Sequence, residues 1–155
     1  MRQLTPDGAE FLVLGNLLVR GIYAHKNYIN TPDYDVVAIN PRNKKVVKIE
    51  VKSRQYKDAK VYLLKSFKPD FVVFVQLNKY VRRKIYKNRK RVKKMLKNEN
   101  NINYIILPIK IVKSLKRKKR RSAKRTRISL TSLYPNKVKK YENDSGWNLI
   151  KKKLK

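Results

Sequence analysis

A few acidic residues and one lysine stand where a strongly basic chain has little reason to keep acids. Asp35 heads the apolar stretch Val36-Val37-Ala38, and Glu50 and Lys52 are set two apart within Val46-Val47-Lys48-Ile49-Glu50-Val51-Lys52. The chain holds 10 Asp plus Glu against 42 Lys plus Arg, so carboxylates embedded in apolar stretches ask for a use. On a strand successive side chains alternate, so Glu50 and Lys52 project to one face about 7 Å apart. Val47, Ile49 and Val51 fill the other face. A turn at 40–45 pairs this strand with 33–39 as a hairpin and brings Asp35 beside Glu50. Two carboxylates that close repel unless a cation lies between them. Oxygen ligands with room for water suit Mg²⁺ or Mn²⁺. Such an ion polarises a phosphoryl oxygen and lowers the pKa of its water. Lys52 then orients or activates the attacking water, or offsets charge growing on the phosphate. Such an arrangement would suit hydrolysis of a phosphodiester.

The elements that must position these residues read as an α/β chain. Thr5-Pro6-Asp7 opens a helix, with Thr5 as cap, Pro6 at the first helical position and Asp7 at the positive end of the dipole. It runs to about Arg20, stops at Gly21 and is apolar almost all round. Glu10 shares a face with Val13, Leu14 and Leu17, the side turned to the sheet. A buried carboxylate needs a partner, which a metal, a metal-bound water or Lys52 would supply. Strands are expected at 22–29, 33–39 and 46–52, and a short helix at 55–68. The continuous apolar run Phe71-Val72-Val73-Phe74-Val75 predicts a central strand covered on both faces. Residues 79–97 read as a basic amphipathic helix, with Val81, Ile85, Val92 and Leu96 at helical spacing. A last core strand is expected at 104–107. Trp147, Ile150 and Leu154 sit at helical intervals in a terminal helix.

Charge is unevenly spread. The net charge is +32, of which residues 1–78 carry +6 and residues 79–155 carry +26. Self-repulsion of that size calls for a polyanionic partner, and nucleic acid is the natural one. The expected phosphate contacts are Lys79, Arg82, Arg83, Lys87, Arg89, Lys90 and Arg91 from the helix-like segment. Lys116, Arg117, Lys118, Lys119, Arg120 and Arg121 join them from an extended arm at 113–127, which is too charged to pack. His25, Asn27 and Tyr28 read as surface or groove residues. Gln76 either points into the site or closes its strand. With no Cys there are no disulfides or thiolate metal sites, and the single His excludes a multi-His zinc site. No apolar run reaches the length of a membrane span, so a cytoplasmic protein is expected. At 155 residues the chain reads as a single domain, with a core at 4–112, the basic arm at 113–127 and a C-terminal segment at 128–155.

Glu10 on the first helix, Pro32-Asp33-Tyr34-Asp35 at a strand, and Glu50-Val51-Lys52 on the next together resemble the PD-(D/E)xK nuclease superfamily. The order and intervals are similar to those of the archaeal Holliday junction resolvases. The resemblance covers about residues 4–77. It implies a restriction endonuclease-like core, a central mixed β-sheet flanked by helices, with basic helical and extended additions. It further implies a Mg²⁺- or Mn²⁺-dependent deoxyribonuclease acting on DNA, with branched DNA among its substrates and a homodimer as its assembly. Carried over position by position, it makes Asp35, Glu50 and the carbonyl of Val51 metal ligands, Lys52 the catalytic lysine and Glu10 an accessory acid. Asp33 competes with Asp35: the literal Pro-Asp favours Asp33, and direct entry into an apolar strand favours Asp35, which is preferred. Phe11 stands where the resolvases usually have Arg. Without catalysis, the same sequence describes a basic nucleic-acid-binding protein, ribosome- or chromatin-associated or built on a degenerate nuclease fold.

Overall fold

Alternation within residues 46–56 and the two-faced apolar run at 71–75 meet in one sheet. A computed structural model describes residues 4–28, 33–56, 60–81, 86–87, 90–91, 94–95, 101–117 and 125–155. In chain order the elements are α1 (Leu4–Val19), β1 (Tyr23–Lys26), β2 (Val36–Ile39), β3 (Val46–Tyr56), β4 (Val61–Leu64) and β5 (Phe71–Val81). Three two-residue strands follow, β6 (Tyr86–Lys87), β7 (Lys90–Arg91) and β8 (Lys94–Met95). Then come β9 (Asn103–Pro108), α2 (Ile109–Ser114), β10 (Thr126–Ser129) and α3 (Asn143–Leu154).

The central sheet is ordered β1-β2-β3-β5, with β9 and β8 both beside β5. Only β3 and β5 run parallel; the other pairs are antiparallel. One face is covered by α1 and α3: Val13, Leu17, Trp147 and Ile150 pack on Val36, Val47, Ile49 and Val73. The other face carries Val72, Phe74, Ile105 and Leu107, against Tyr62, Leu64, Ile128 and Val112. β4 and β10 form a separate two-stranded ribbon over this second face. β5 is therefore buried on both sides, as its unbroken apolar sequence predicts. Among the described residues no helix is long and apolar enough to cross a membrane.

Gly21 ends α1 at φ 70°, a left-handed position where glycine avoids the Cβ penalty, and its N–H donates to the Leu18 carbonyl at 2.9 Å. Thr5 lies inside the helix rather than capping it, and its Oγ1 accepts a bond from Gln55 on β3 at 3.1 Å.

Two predicted helices are strands instead. In place of a helix at 55–68, β3 continues to Tyr56 and Val61–Leu64 is β4, paired with β10 in the register Tyr62↔Ile128. A partner more than sixty residues away decides between the two states, which local pattern cannot do. The described part of 79–97 is also extended: β5 runs on to Val81, Lys94–Met95 pairs with Tyr80–Val81, and Tyr86–Lys87 pairs with Lys90–Arg91. A helix there would stack Lys79 on Arg83, Arg83 on Lys87 and Lys87 on Arg91, like charges four apart that oppose helix formation. The arm at 113–127 is anchored at both ends. Lys113 lies in the last turn of α2, Lys116 bridges to Ile128, and the Arg117 N–H donates to the Arg127 carbonyl at 3.0 Å.

Gly146 brings α3 hard against β9 and the turn before it: a Cβ there would run into the Tyr141 carbonyl oxygen and stand 2.7 Å from Ile106 Cδ1. Gly146→Ala is expected to lower the unfolding free energy by about 1–3 kcal/mol through overpacking. Urea denaturation measures this; an unchanged midpoint would show that the α3–β9 contact opens without cost.

Candidate active site

The site starts from a register. β2 and β3 pair Val36 with Ile49, which sets Asp35 across from Glu50, and the Asp35 N–H donates to the Ile49 carbonyl at 2.9 Å. The Asp35 carboxylate turns back onto the neighbouring strand, its Oδ2 accepting the Val51 N–H at 2.6 Å. Glu50 and Lys52 stand opposite Val72 and Phe74 of β5 and so share the second face, under the β4–β10 ribbon. Glu50 is only 4% exposed and is ion-paired with Lys52. The Lys52 ammonium also donates to the Val51 carbonyl at 3.2 Å.

Glu10 has a partner other than those expected. Lys26 of β1 reaches it at 2.9 Å and lies 3.9 Å from Asp7. Burial is the main force raising the Glu10 carboxyl above 4.5, with the Lys26 hydrogen bond opposing it and the Asp35 charge adding to the rise. Glu50 is likewise raised, first by burial, against the pull of Lys52 and with a further push from Asp35. Asp35 acts on both, so the three carboxylates share one electrostatic neighbourhood. Asp33 is drawn away: Lys68 bonds it at 3.0 Å and holds its carboxyl below 3.8.

A cleft of about 280 Å³ gathers Glu10, Asp35, the Val51 backbone region and Lys52, with Glu50 buried behind them. Arg54, Lys65 and Arg125 also line it, with Pro6, Ser53, Tyr62 and Leu63, and the three cations were not singled out from the sequence. Arg54 was legible, two residues past Lys52 on the same strand face. Lys65 and Arg125 were not, because they meet only through the β4–β10 pairing. Gln76 bonds Tyr134 Oη at 3.4 Å and Asn103 at 3.2 Å, outside the cleft lining. His25 and Tyr28 are exposed, while the Asn27 N–H donates to the Asp35 carbonyl at 2.8 Å and helps to seat the strand. Of the expected phosphate contacts, Lys116 and Arg117 are exposed. Lys79, Lys87, Lys90 and Arg91 fall on β5, β6 and β7, whereas Arg82, Arg83, Arg89, Lys118, Lys119, Arg120 and Arg121 lie outside the described residues.

Among the described residues no three Asp, Glu, His or Cys side chains converge to hold a metal alone. The donor set is two carboxylates and one carbonyl, all oxygen. It fits a hard divalent ion that keeps waters for its remaining positions. The Lys52 ammonium, seated on Glu50 and the Val51 carbonyl, marks where a positive charge is favoured.

No protein-family model and no curated protein matches the sequence. Among solved structures the chain is similar to the bacterial homing endonuclease I-Ssp6803I, with a TM-score of 0.54 over 97% of this chain and 93% of that one at 17% identity. The fold is the restriction endonuclease-like nuclease fold. The Holliday junction resolvase Hjc of the archaeal hyperthermophile Archaeoglobus fulgidus is also similar, with a TM-score of 0.46, 18% identity and coverage of 84% and 88%.

A carboxyl raised above its unfolded value keeps its proton longer in the native state. Between the two values the native chain holds the extra proton, so stability falls as pH rises through that window and stays lowered above it. Replacing Glu50 by Gln removes the effect. Without divalent ions, Glu50→Gln is expected to be more stable than the parent near neutral pH, with the gain fading below 4.5. Urea titrations at the two pH extremes test this, and a loss of stability near neutrality would mean that the Lys52 pair outweighs burial.

Proposed function

We propose that the chain is a divalent-metal-dependent DNA endonuclease that hydrolyses phosphodiester bonds. Asp35, Glu50 and the Val51 carbonyl hold Mg²⁺ or Mn²⁺, Lys52 acts at the scissile phosphate, and Glu10 is an accessory acid. The observation that carries this reading is the pair of carboxylates opposed across β2 and β3, beside a lysine, at a cation-walled cleft of a nuclease fold.

The residues divide the work. The Val51 N–H fixes one Asp35 oxygen, and Asp35 lines the cleft. Glu50 is held rigidly by burial, and strand pairing immobilises the Val51 carbonyl. A bound ion would polarise the phosphoryl oxygen and lower the pKa of the attacking water. Lys52 now occupies two of the oxygens offered to that ion. Once they are satisfied otherwise, its ammonium is released to a non-bridging phosphate oxygen or to the incoming water. Water oxygen bonds to phosphorus, the P–O ester bond breaks and the leaving oxygen takes up a proton. Glu10 lines the same cleft as Asp35 and is held there by Lys26. Cutting both strands takes two such sites, which a homodimer supplies.

Supercoiled, linear and four-way-junction DNA, each with and without Mg²⁺ or Mn²⁺, form the test. Cleavage is expected only with metal, and Asp35→Asn, Glu50→Gln and Lys52→Ala should each lower it by about 10²-fold or more. Cleavage that survives Glu50→Gln and Lys52→Ala would place the chemistry elsewhere, and none on any substrate would end the enzyme reading. Calorimetry adds a second readout. Lys52→Met should bind Mn²⁺ at least as tightly as the parent, because the competing ammonium is gone.

A further inference from the structure

The β4–β10 ribbon, read in the sequence as a helix and a loose arm, presents an outer face that neither reading anticipated. In its register Leu63 pairs with Arg127 and Leu64 with Thr126, and Lys65 and Arg125 follow as bends just past the paired residues. Residues 115–117 extend the ribbon along the far edge of β10. The bridge Lys116↔Ile128, with the Arg117 N–H bonded to the Arg127 carbonyl, sets Arg117 opposite Arg127. Strand alternation sends Tyr62, Leu64 and Ile128 into the core and leaves Lys65, Arg117, Arg125 and Arg127 exposed on the other side.

Arg117 and Arg127 thus stand as like charges directly across from one another, an arrangement that destabilises a sheet, and Lys65 and Arg125 add two more cations just past the ribbon's end. Among the described residues none of the four is ion-paired or seated on an aromatic ring. By contrast, Lys116, whose parity is inward, lies 4.2 Å from the Phe67 ring. No Asp or Glu occurs in 61–65, 115–117 or 125–129, and the one carboxylate recorded as feeling any of the four is Glu50, which feels Lys65. Two of the four, Lys65 and Arg125, also line the catalytic cleft. The row therefore begins at the cleft and leads away from it along the ribbon.

We propose that this face is a track for the nucleic-acid backbone, in which the phosphates of a DNA duplex relieve the cross-strand repulsion and are led towards Asp35 and Glu50. The track shares its partner with the nuclease reading but depends on no catalytic step, so the two can fail separately.

The test is binding of a short DNA duplex in EDTA, followed by fluorescence anisotropy across a salt series. Lys65→Ala, Arg117→Ala, Arg125→Ala and Arg127→Ala should each reduce the slope of log affinity against log salt by about 0.9. Lys151→Ala, on the exposed side of α3, should leave it unchanged. Arg127→Glu should weaken duplex binding yet raise the melting temperature of the DNA-free protein, because it gives Arg117 an opposite charge. Slopes equal to the parent's in all four alanine variants would overturn the track. So would an equal loss in Lys151→Ala, which would mean diffuse attraction by the whole charge. Loss of binding in the ribbon variants with no cleavage by the parent would support the track and sink only the nuclease reading.

Discussion

The pairing of Val36 with Ile49 is the constraint on which the rest depends. Strand side chains alternate with a period of two, so a slip of one residue would turn Glu50 and Lys52 onto the face occupied by α1 and α3. Ile49 and Val51 would then face the ribbon, and Asp35 would lose both its carboxylate bond to Val51 and its place beside Glu50. Several contacts oppose such a slip. The Asn40 N–H donates to the Lys45 carbonyl across the turn, Lys44 takes the left-handed conformation at φ 57°, and the Asp35 carboxylate caps Val51. The hydrophobic pattern and the polar site are specified by the same register, so neither can be satisfied alone.

The arrangement sets stability against chemistry. A carboxylate as buried as Glu50 costs free energy that a neutral residue would not, and Lys52 offsets only part of it. The chain tolerates this because the strand carrying Glu50 is flanked by two packed clusters, with Ile49 and Val51 in one and the neighbouring Val72 and Phe74 in the other. Both acids whose carboxyls are raised lie at the cleft, and each leans on one lysine. The ribbon repeats the theme on a second surface, where like charges oppose each other across strands.

What was legible in the sequence was what neighbours along the chain decide. The helix ending at Gly21, the hairpin carrying Asp35 and Glu50, the doubly covered strand at 71–75 and the terminal helix bearing Trp147 all follow from local periodicity and turn residues. Between the two candidate acids, Asp33 is engaged by Lys68 while Asp35 lines the cleft. What escaped depended on distant partners. Val61–Leu64 becomes a strand only because Thr126–Ser129 lies beside it. Glu10 meets Lys26 only because the first half of α1 crosses β1. The helical spacing of Val81, Ile85, Val92 and Leu96 was real, but repulsion between stacked cations opposes a helix there. The cleft wall of Lys65 and Arg125 was invisible for the same reason as the ribbon.

The side chains of Asn40 and Asn43, at the turn joining β2 to β3, both donate to the carbonyl of Leu154, at 2.9 and 3.0 Å. The turn that holds the site's register is thus tied down by a residue more than a hundred positions later. During synthesis the hairpin emerges early, but this tether and the ribbon strand at 126–129 arrive only with the final quarter of the sequence. Non-local closure of this kind slows folding. The nascent chain therefore exposes its cations before its carboxylates are locked in place. The charged surface is thus complete in sequence before the tether that fixes the carboxylates can close.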